Sequence, residues 1–308
     1  MTTEQELARH STDRPTLLTV GVFDGVHLGH TSLLKRLINE AHERSLLPGV
    51  ITFTPHPQTV FHPERPVPLL SSVDERMTLI RKTGVDLVVL LTFTQDMSRY
   101  TSVDFVLLLS RYLHLQGLVL GPDASLGRDR EGTARRLKLA GKTMGFTVAN
   151  IPFSTISGEV VSSTAIRNAL AAGDLDRATR MLGRRYSLSG TIVTTSRRGT
   201  SMGFPTANLD VGPERALPAN GVYATIANVR GMRYHAVTNI GLRPTFGDTE
   251  RVVETHILDF TGDVYGSALQ IEFAARIREE RPFDSQEALI AQIRRDVDTA
   301  QRILGALP

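Results

Sequence analysis

The chain has 308 residues, of which 41% are hydrophobic and 22% are charged, and its formal net charge is +3. This length exceeds what one hydrophobic core usually supports, so we expect two domains, and the ordinary composition excludes wholesale disorder. The absence of cysteine excludes disulfides, thiolate nucleophiles and cysteine-based zinc sites, and it fits the reducing environment of a cytoplasmic protein.

In the first half of the chain, segments typical of strands alternate with segments typical of helices. Residues 1–15 are polar and acidic, so we expect a frayed tail and no secretory signal. Buried strands are predicted at 16–22, 49–54, 86–93, 117–121 and 146–151. Helices are predicted at 29–44, 71–83, 102–112 and 130–144. This alternation predicts a doubly wound parallel sheet, and its longest apolar stretch is too short to span a membrane.

The pattern changes near residue 183, after two short helical segments at 163–172 and 175–182. Short alternating segments then follow, separated by Gly, Pro and Asn, at 186–194, 221–229, 234–240, 252–260 and 268–275. They predict an antiparallel barrel or sandwich, and an amphipathic helix at 285–304 closes the chain. We therefore predict domains at 1–183 and 184–308.

The segment Gly21–His30 joins the first predicted strand to the first helix. In an open parallel sheet, ligands bind at the carboxyl ends of the strands, and the free N–H groups of a helix start suit phosphate. Gly29 allows a nucleotide to approach the backbone closely. His27 and His30 could stabilise negative charge on an α-phosphate in the transition state. The alternative is a zinc pair, for which His56 is the obvious candidate third ligand.

A second segment, Val161–Arg167, begins a predicted helix with Ser162, Ser163 and Thr164. These hydroxyl groups, the free N–H groups and Arg167 could hold the β- and γ-phosphates that leave as pyrophosphate. An ordinary capped helix would look the same, so the segment gains meaning only when it is paired with the histidine turn.

These motifs carry a resemblance to a known family. Residues 16–182 resemble the nucleotidyltransferase half of the bacterial bifunctional riboflavin kinase/FAD synthetases, through matches at 21–30, 52–57, 121–123, 127–132 and 162–167. The resemblance implies transfer of an adenylyl group from ATP to FMN, which yields FAD and pyrophosphate. It implies catalytic roles for His27 and His30. It also implies nucleotide binding by Phe23, Asp24, Gly29, Ser162, Ser163, Thr164 and Arg167, and flavin binding by Phe53, His56 and Asp123.

The chain departs from this family at Ala124-Ser125-Leu126, where Phe-Arg-Phe is usual. Two rings and a cation are lost together, so we expect weaker FMN binding at the first site. A riboflavin kinase whose first half is inactive is therefore one alternative reading.

The segment Gly203–Asn208 lies in the predicted all-β half. On an extended chain Thr206 and Asn208 point the same way and offer the hard oxygen ligands that Mg²⁺ accepts beside ATP phosphates. The chain has no Walker A sequence, so a kinase here would lie outside the P-loop class. Without further context, a polar turn that leads into a strand explains the segment equally well.

Residues 184–308 are similar to the riboflavin kinase module of the same family, through matches at 203–208, 220–223, 239–245, 254–260, 263–266 and 278–283. The resemblance implies a six-stranded antiparallel barrel with a C-terminal helix. Glu254 falls on the position of the general base, Phe204 on a nucleotide contact and Arg278 on a flavin contact. Thr195 and Thr200 depart from the usual Gly and Arg.

Taken together, the two halves predict a cytoplasmic enzyme that converts riboflavin to FMN and FMN to FAD with ATP and Mg²⁺. Its basic residues are scattered, so we expect no nucleic-acid partner and no membrane partner. The sequence carries no signal for an oligomeric state. Two further alternatives are a nucleotidyltransferase for another acceptor and a flavin-sensing or RNA-binding regulator without turnover.

Overall fold

The computed structural model describes residues 1–193, 203–244 and 249–307. By its internal contacts the chain divides into two compact units, Met1–Ser163 and Thr164–Pro308. This division falls before residue 183 because the two short helices that follow Ser163 pack within the second unit; for example, the N–H of Ala219 donates to the carbonyl of Leu170 at 2.9 Å. The boundary at residue 183 stays a prediction.

The first unit is built on a five-stranded sheet in the order β3-β2-β1-β4-β7, and all of its pairings are parallel. The strands are β1 (Thr16–Val20), β2 (Leu47–Thr54), β3 (Leu87–Thr92), β4 (Leu115–Leu120) and β7 (Thr147–Asn150). The long helices are α2 (Leu28–Glu43), α4 (Val73–Arg81), α5 (Ser102–Leu113) and α6 (Ala134–Met144). Every residue of β1 is buried, as expected for a central strand covered on both faces. The predicted doubly wound sheet is confirmed.

The expected frayed tail is wrong, because residues Thr3–Ala8 form helix α1. Thr2 and Gln5 form a capping box at its start. The carboxylate of Glu6 accepts hydrogen bonds from the backbone N–H and the hydroxyl of Thr92, at 2.8 and 2.5 Å. Leu7 is fully buried. The helix is therefore held by tertiary contacts to the edge strand β3, which local sequence does not reveal.

Short elements connect the parallel strands near their ends. Helix α3 (Pro57–Phe61) lies within the proline-rich loop after β2. Two small antiparallel hairpins follow later, formed by β5 (Ser125–Leu126) with β6 (Gly132–Thr133) and by β8 (Thr155–Ile156) with β9 (Glu159–Val160). The first hairpin and a 3₁₀ turn shift the start of α6 to Ala134, later than the predicted residue 130.

The second unit begins within α7 (Ser163–Ala171) and continues through α8 (Leu175–Leu182) into a closed antiparallel barrel. Around the barrel the strands follow the order β10 (Ser187–Val193), β11 (Ala207–Asp210), β14 (Thr249–Ile257), β13 (Met232–Pro244), β12 (Gly221–Val229) and β15 (Ala268–Arg278). The C-terminal helix α9 (Gln286–Gly305) packs through Ala300 and Leu304 against Val222, Ala224 and Val237. The predicted six-stranded barrel with a C-terminal helix is confirmed.

Candidate active sites

The turn between β1 and α2 is conformationally strained. Phe23 and Val26 have φ values of +54° and +38°, in the left-handed region that few residues other than glycine adopt, and Gly25 has a φ of +75°. A β-branched residue such as Val26 is a clear outlier there. Each such residue costs about 1–3 kcal/mol and persists only where its surroundings hold it. Strain of this kind is typical of functional sites.

The carboxylate of Asp24 holds the inner side of this turn. It is buried and accepts hydrogen bonds from the backbone N–H groups of Leu70 and Ser71, at 2.9–3.1 Å, and from the Ser71 hydroxyl at 3.2 Å. The Ser71 hydroxyl also accepts from the N–H of Gly25 at 3.0 Å. Asp24 therefore anchors the turn through its side chain, and its role in binding nucleotide stays a prediction.

Arg76 also supports this turn. Its guanidinium group is buried and donates to the carbonyl of Val22 at 2.9 Å and to the carbonyl of Phe53 at 2.7 Å. Burial lowers the pKa of Arg76, and the nearby carboxylate of Asp24 partly opposes this shift. Arg76 thus ties together the ends of β1 and β2, where the site is built. No sequence motif points to this role of Arg76.

His27 and His30 form a stacked pair at the start of α2. Their ring centroids lie 3.7 Å apart, and the ring planes differ by 15°. His27 is buried and caps the helix, since its Nδ1 accepts from the backbone N–H of His30 at 3.3 Å. An accepting Nδ1 carries no proton, so the neutral ring presents its N–H at Nε2. A Cβ added to Gly29 would lie 3.1 Å from Cε1 and Nδ1 of His27, so a larger residue here would press on the His27 ring.

The electrostatics of the pair favour a neutral His30. Burial holds the pKa of His30 well below its ordinary value, and a positive charge on His27 would lower it further by repulsion. Its Nδ1 is buried and has no hydrogen-bond partner among the described residues. A buried ring nitrogen with no partner next to a cavity is suited to a bond with a ligand.

The zinc alternative gains no support from the geometry. Within the described ranges, no three His, Cys, Asp or Glu residues lie close enough together to hold a metal ion. His56, the candidate third ligand, caps α3 instead, and its Nδ1 accepts from the N–H of Gln58 at 3.1 Å. Its predicted role in flavin binding stays a prediction.

An open cavity of about 280 Å³ lies beside the histidine pair. It brings together predicted residues from distant parts of the sequence, namely Phe23, His27, Gly29, His30, Asp123, Ser162 and Ser163. The hydroxyl of Ser163 donates to the carbonyl of Asp24 at 3.0 Å and so links the second segment to the strained turn. The cavity also includes Phe153, whose side chain is 48% exposed and which the sequence analysis did not single out.

Phe53, Thr164 and Arg167 complete the set of predicted first-site residues. The ring of Phe53 is buried in the core and makes an edge contact with Phe93, with 5.7 Å between centroids. Thr164 and Arg167 lie on α7, past the division at Ser163. Their binding roles stay predictions.

The structure separates the three residues that depart from the family pattern. Ala124 lines the cavity. Ser125 pairs with Thr133 in the β5–β6 hairpin. Leu126 is buried in the core of the first unit. Of the three, Ala124 is thus the one that lines the cavity where a ligand would bind.

On the barrel, Glu254 lies at the centre of a polar row. Antiparallel pairing sets it directly opposite Asn208 on β11 and Asn239 on β13, and opposed residues share a face of the sheet. The Nη2 atom of Arg243 donates to Glu254 Oε1 at 2.7 Å and to Asn208 Oδ1 at 2.9 Å. Arg243 and Asn239 both lie in the motif at 239–245, but the motif alone predicts no role for either.

The residues predicted to bind metal and nucleotide flank this row. Thr206 is half-buried directly before β11, and Asn208 is buried within it. The ring of Phe204 makes an edge contact with His256, whose Nδ1 lies 2.8 Å from the carbonyl oxygen of Pro205. The hydroxyl of Thr206, and the lone pair of the Asn208 amide oxygen that Arg243 does not use, fit Mg²⁺ that is held mainly by phosphate oxygens and water.

Arg278 lies at the end of β15, and its guanidinium group already pairs with a carboxylate. It forms a two-pronged ion pair with the buried Asp296 of α9, with nitrogen–oxygen distances of 2.8–3.1 Å. Its guanidinium also lies 5.6 Å from the ring centroid of Phe283. These contacts fasten the C-terminal helix to the barrel, and the predicted flavin contact stays a prediction. Thr195 and Thr200 lie outside the described residues.

Comparisons with known proteins agree with both halves. A family model described as FAD synthetase matches residues 9–165, and one described as riboflavin kinase matches residues 182–304. No helix within 1–193, 203–244 and 249–307 is long and apolar enough to cross a bilayer. A crystal structure described as a macrolide-efflux protein of Streptococcus pneumoniae shares the fold, with a TM-score of 0.88 and 28% identity, covering 98% of this chain and 97% of that one.

Relatives match over nearly the full length. The chain is 38% identical to the bifunctional riboflavin kinase/FMN adenylyltransferase of Pseudomonas fluorescens, over 94% of this chain and 93% of that protein. Proteins of the same name from Escherichia coli (strain K12) and Bacillus subtilis (strain 168) are 35% and 33% identical, over 94% and 95% of this chain and 93% of each relative. The chain therefore belongs to the bifunctional riboflavin kinase/FMN adenylyltransferase family.

Proposed function

We propose that this chain makes FAD from riboflavin in two ATP-dependent steps, with a riboflavin kinase in the barrel unit and an FMN adenylyltransferase in the α/β unit. The observation that carries this proposal is the presence of both polar constellations in a chain that matches bifunctional relatives over 94% of its length. A histidine pair lines the cavity of the first unit, and Glu254 lies centrally in the row on the second.

In the adenylyl transfer, an oxygen of the FMN phosphate attacks the α-phosphorus of ATP. A new phosphorus–oxygen bond forms, the bond to the α–β bridging oxygen breaks, and pyrophosphate leaves. The nucleophile belongs to the substrate, so the protein supplies position and charge stabilisation. Nε2–H of His27 and a ring N–H of His30 can donate to the α-phosphate as negative charge builds there, while the hydroxyl of Ser162 or the backbone N–H groups near it can hold the leaving pyrophosphate.

In the kinase step, the primary hydroxyl of the ribityl chain attacks the γ-phosphorus of ATP. Glu254 accepts the hydroxyl proton, the bond between the γ-phosphorus and its bridging oxygen breaks, and ADP leaves. Thr206 and Asn208 would hold Mg²⁺, which neutralises phosphate charge when bound. We infer that the substrates are small molecules, that neither nucleic acid nor membrane takes part, and that the reactions occur in the cytoplasm, where ATP is available.

To test this proposal, the purified chain is incubated with riboflavin, ATP and Mg²⁺, and the flavins are then separated by chromatography. We expect both FMN and FAD. FMN without FAD would instead favour the kinase with an inactive first half. The absence of both FMN and FAD would overturn the proposal.

Two variants assign each step to its unit. Glu254→Gln should lower FMN production by about 10²–10⁴-fold, since an amide cannot act as a base, while adenylylation of supplied FMN continues. The double variant His27→Ala/His30→Ala should show the reverse pattern. Equal loss of both activities in either variant would contradict the division into two sites.

A further inference from the structure

The polar row on the barrel contains a cation whose position has a consequence for catalysis. Arg243 lies on β13 on the same face as Asn239, because alternate residues of a strand share a face. One of its nitrogens, Nη2, contacts both Glu254 and Asn208, on two neighbouring strands. We propose that Arg243 is a positioning residue for the riboflavin kinase reaction, which holds one oxygen of Glu254 so that the other receives the proton of the substrate hydroxyl. This inference rests on the proposed kinase function.

The two oxygens of the Glu254 carboxylate differ in their contacts. Oε1 accepts the charge-assisted bond from Arg243 at 2.7 Å. Oε2 accepts no hydrogen bond from any residue that the structure describes. The final torsion of a glutamate side chain is broad and nearly two-fold, so a free carboxylate would rotate. The bond to Arg243 limits that rotation and presents Oε2 as the oxygen available to substrate.

The ion pair between Arg243 and Glu254 affects orientation more than folding stability. The side chains of Arg243 and Glu254 are 31% and 30% exposed, so solvent screens the pair and its effect on folding stability is small. Its effect on orientation can exceed its effect on stability, because a charge-assisted bond of 2.7 Å is short and directional. A catalytic base that is misplaced by about 1 Å can cost about 100-fold in rate. We therefore expect Arg243 to act on turnover and not on stability.

Arg243 also donates a second hydrogen bond, to Asn208. Asn208 is buried, so its amide oxygen is a fixed point on β11. A nitrogen shared between Asn208 and Glu254 sets the distance between the base and the residue predicted to serve the phosphate side. Arginine suits this task because its planar guanidinium carries several donors on a long side chain, whereas lysine offers a compact charge on a shorter reach.

In the reaction itself Arg243 forms and breaks no covalent bond. The hydroxyl proton moves to Glu254 Oε2, the freed oxygen bonds to the γ-phosphorus, and ADP leaves with the electron pair of the broken bond. Arg243 acts through Glu254, so removing it should cost little once Glu254 can no longer act as a base. Side chains that work as a unit show this kind of non-additivity.

The test is a double-mutant cycle on kcat for riboflavin phosphorylation in the full chain. Arg243→Gln in the wild-type background should lower kcat by roughly 10–100-fold, with the KM values of riboflavin and Mg·ATP changed by less than about two-fold. The same change in Glu254→Gln should lower the residual kcat by less than about two-fold. Arg243→Lys should give an intermediate kcat. Flavin fluorescence after chromatography measures the slow variants.

Adenylylation of supplied FMN by the same preparations, together with the melting temperature, is the folding control. An unchanged kcat in Arg243→Gln would overturn the inference, as would a loss that is fully additive with Glu254→Gln. A raised KM for Mg·ATP at unchanged kcat would also overturn it and assign Arg243 to nucleotide binding. If Arg243→Gln does not fold, Arg243→Lys decides, and a wild-type kcat in that variant contradicts the inference. Wild-type protein that makes no FMN would instead refute the proposed kinase.

Discussion

Replacing Gly29 by alanine should impair FAD formation without destabilising the chain. Gly29 is the second residue of α2, and its φ lies outside the left-handed region, so alanine adopts the same backbone without strain. In a helix alanine is favoured over glycine by about 0.5–1 kcal/mol. The added Cβ, however, would lie 3.1 Å from Cε1 and Nδ1 of His27 and 3.5 Å from the carbonyl oxygen of Val161.

The size of the effect follows from these distances. Carbon atoms pack at about 3.5–4.0 Å, so the imidazole of His27 must move by roughly half an ångström. That ring accepts from the N–H of His30 at 3.3 Å and stacks on the His30 ring at 3.7 Å, so the displacement disturbs both rings. Since a misplacement of about 1 Å costs about 100-fold, we expect kcat for adenylylation to fall by about 10–100-fold.

The assay is steady-state formation of FAD from FMN and ATP, with riboflavin phosphorylation and the melting temperature measured on the same preparation. Gly305→Ala is the control, because Gly305 is likewise a helix residue, the last of α9, and a Cβ there meets nothing within 4 Å. Both activities of that control should match wild type. A Gly29→Ala chain with the wild-type kcat would refute the idea that the position of the His27 ring limits the reaction.

Three further changes probe the first unit. His30 is protonated less readily in the folded chain than in the unfolded chain, so acidification from about pH 7 to about pH 5 should lower the melting temperature. The melting temperature of His30→Asn should fall by less over the same pH range, and equal falls in the two proteins would contradict this. Arg76→Met should lower the free energy of unfolding in urea by about 2–3 kcal/mol, because the carbonyls of Val22 and Phe53 lose a buried donor; a change below about 0.5 kcal/mol would be inconsistent with this. Ala124→Phe should lower the KM for FMN several-fold and leave the KM for riboflavin unchanged, and an unmoved FMN KM would place Ala124 outside the flavin contact.

Much of the architecture could be predicted from the sequence because it depends on local patterns. Alternating apolar segments predicted the parallel sheet, and the turn Gly21–His30 was placed at the end of β1, where the cavity lies. Helix α1 was missed because its stability comes from Glu6 bonded to Thr92, a contact between residues far apart in the chain. A polar hexapeptide gives no sign of such a partner.

The supporting residues of both sites were missed for the same reason. Arg76 donates to the backbone carbonyls of Val22 and Phe53. Every residue has a backbone carbonyl, so residue types do not reveal which carbonyl accepts such a bond. Arg243 contacts Asn208 on another strand, and only the pairing of β11 with β14 and of β14 with β13 brings them together. Motifs identify groups that touch ligands more readily than groups that hold those residues in place.

The structural positions of Ala124, Ser125 and Leu126 decide which of these three departures can affect FMN binding. As a sequence, the three residues appear as one loss of two rings and a cation. In the structure Leu126 fills the core, so a phenylalanine there would strain packing and reveal nothing about FMN. Ser125 lies in a short hairpin, and Ala124 lines the cavity. Weakened FMN binding would therefore come from the side chain of Ala124, and Ala124→Phe tests it more cleanly than restoring all three residues would.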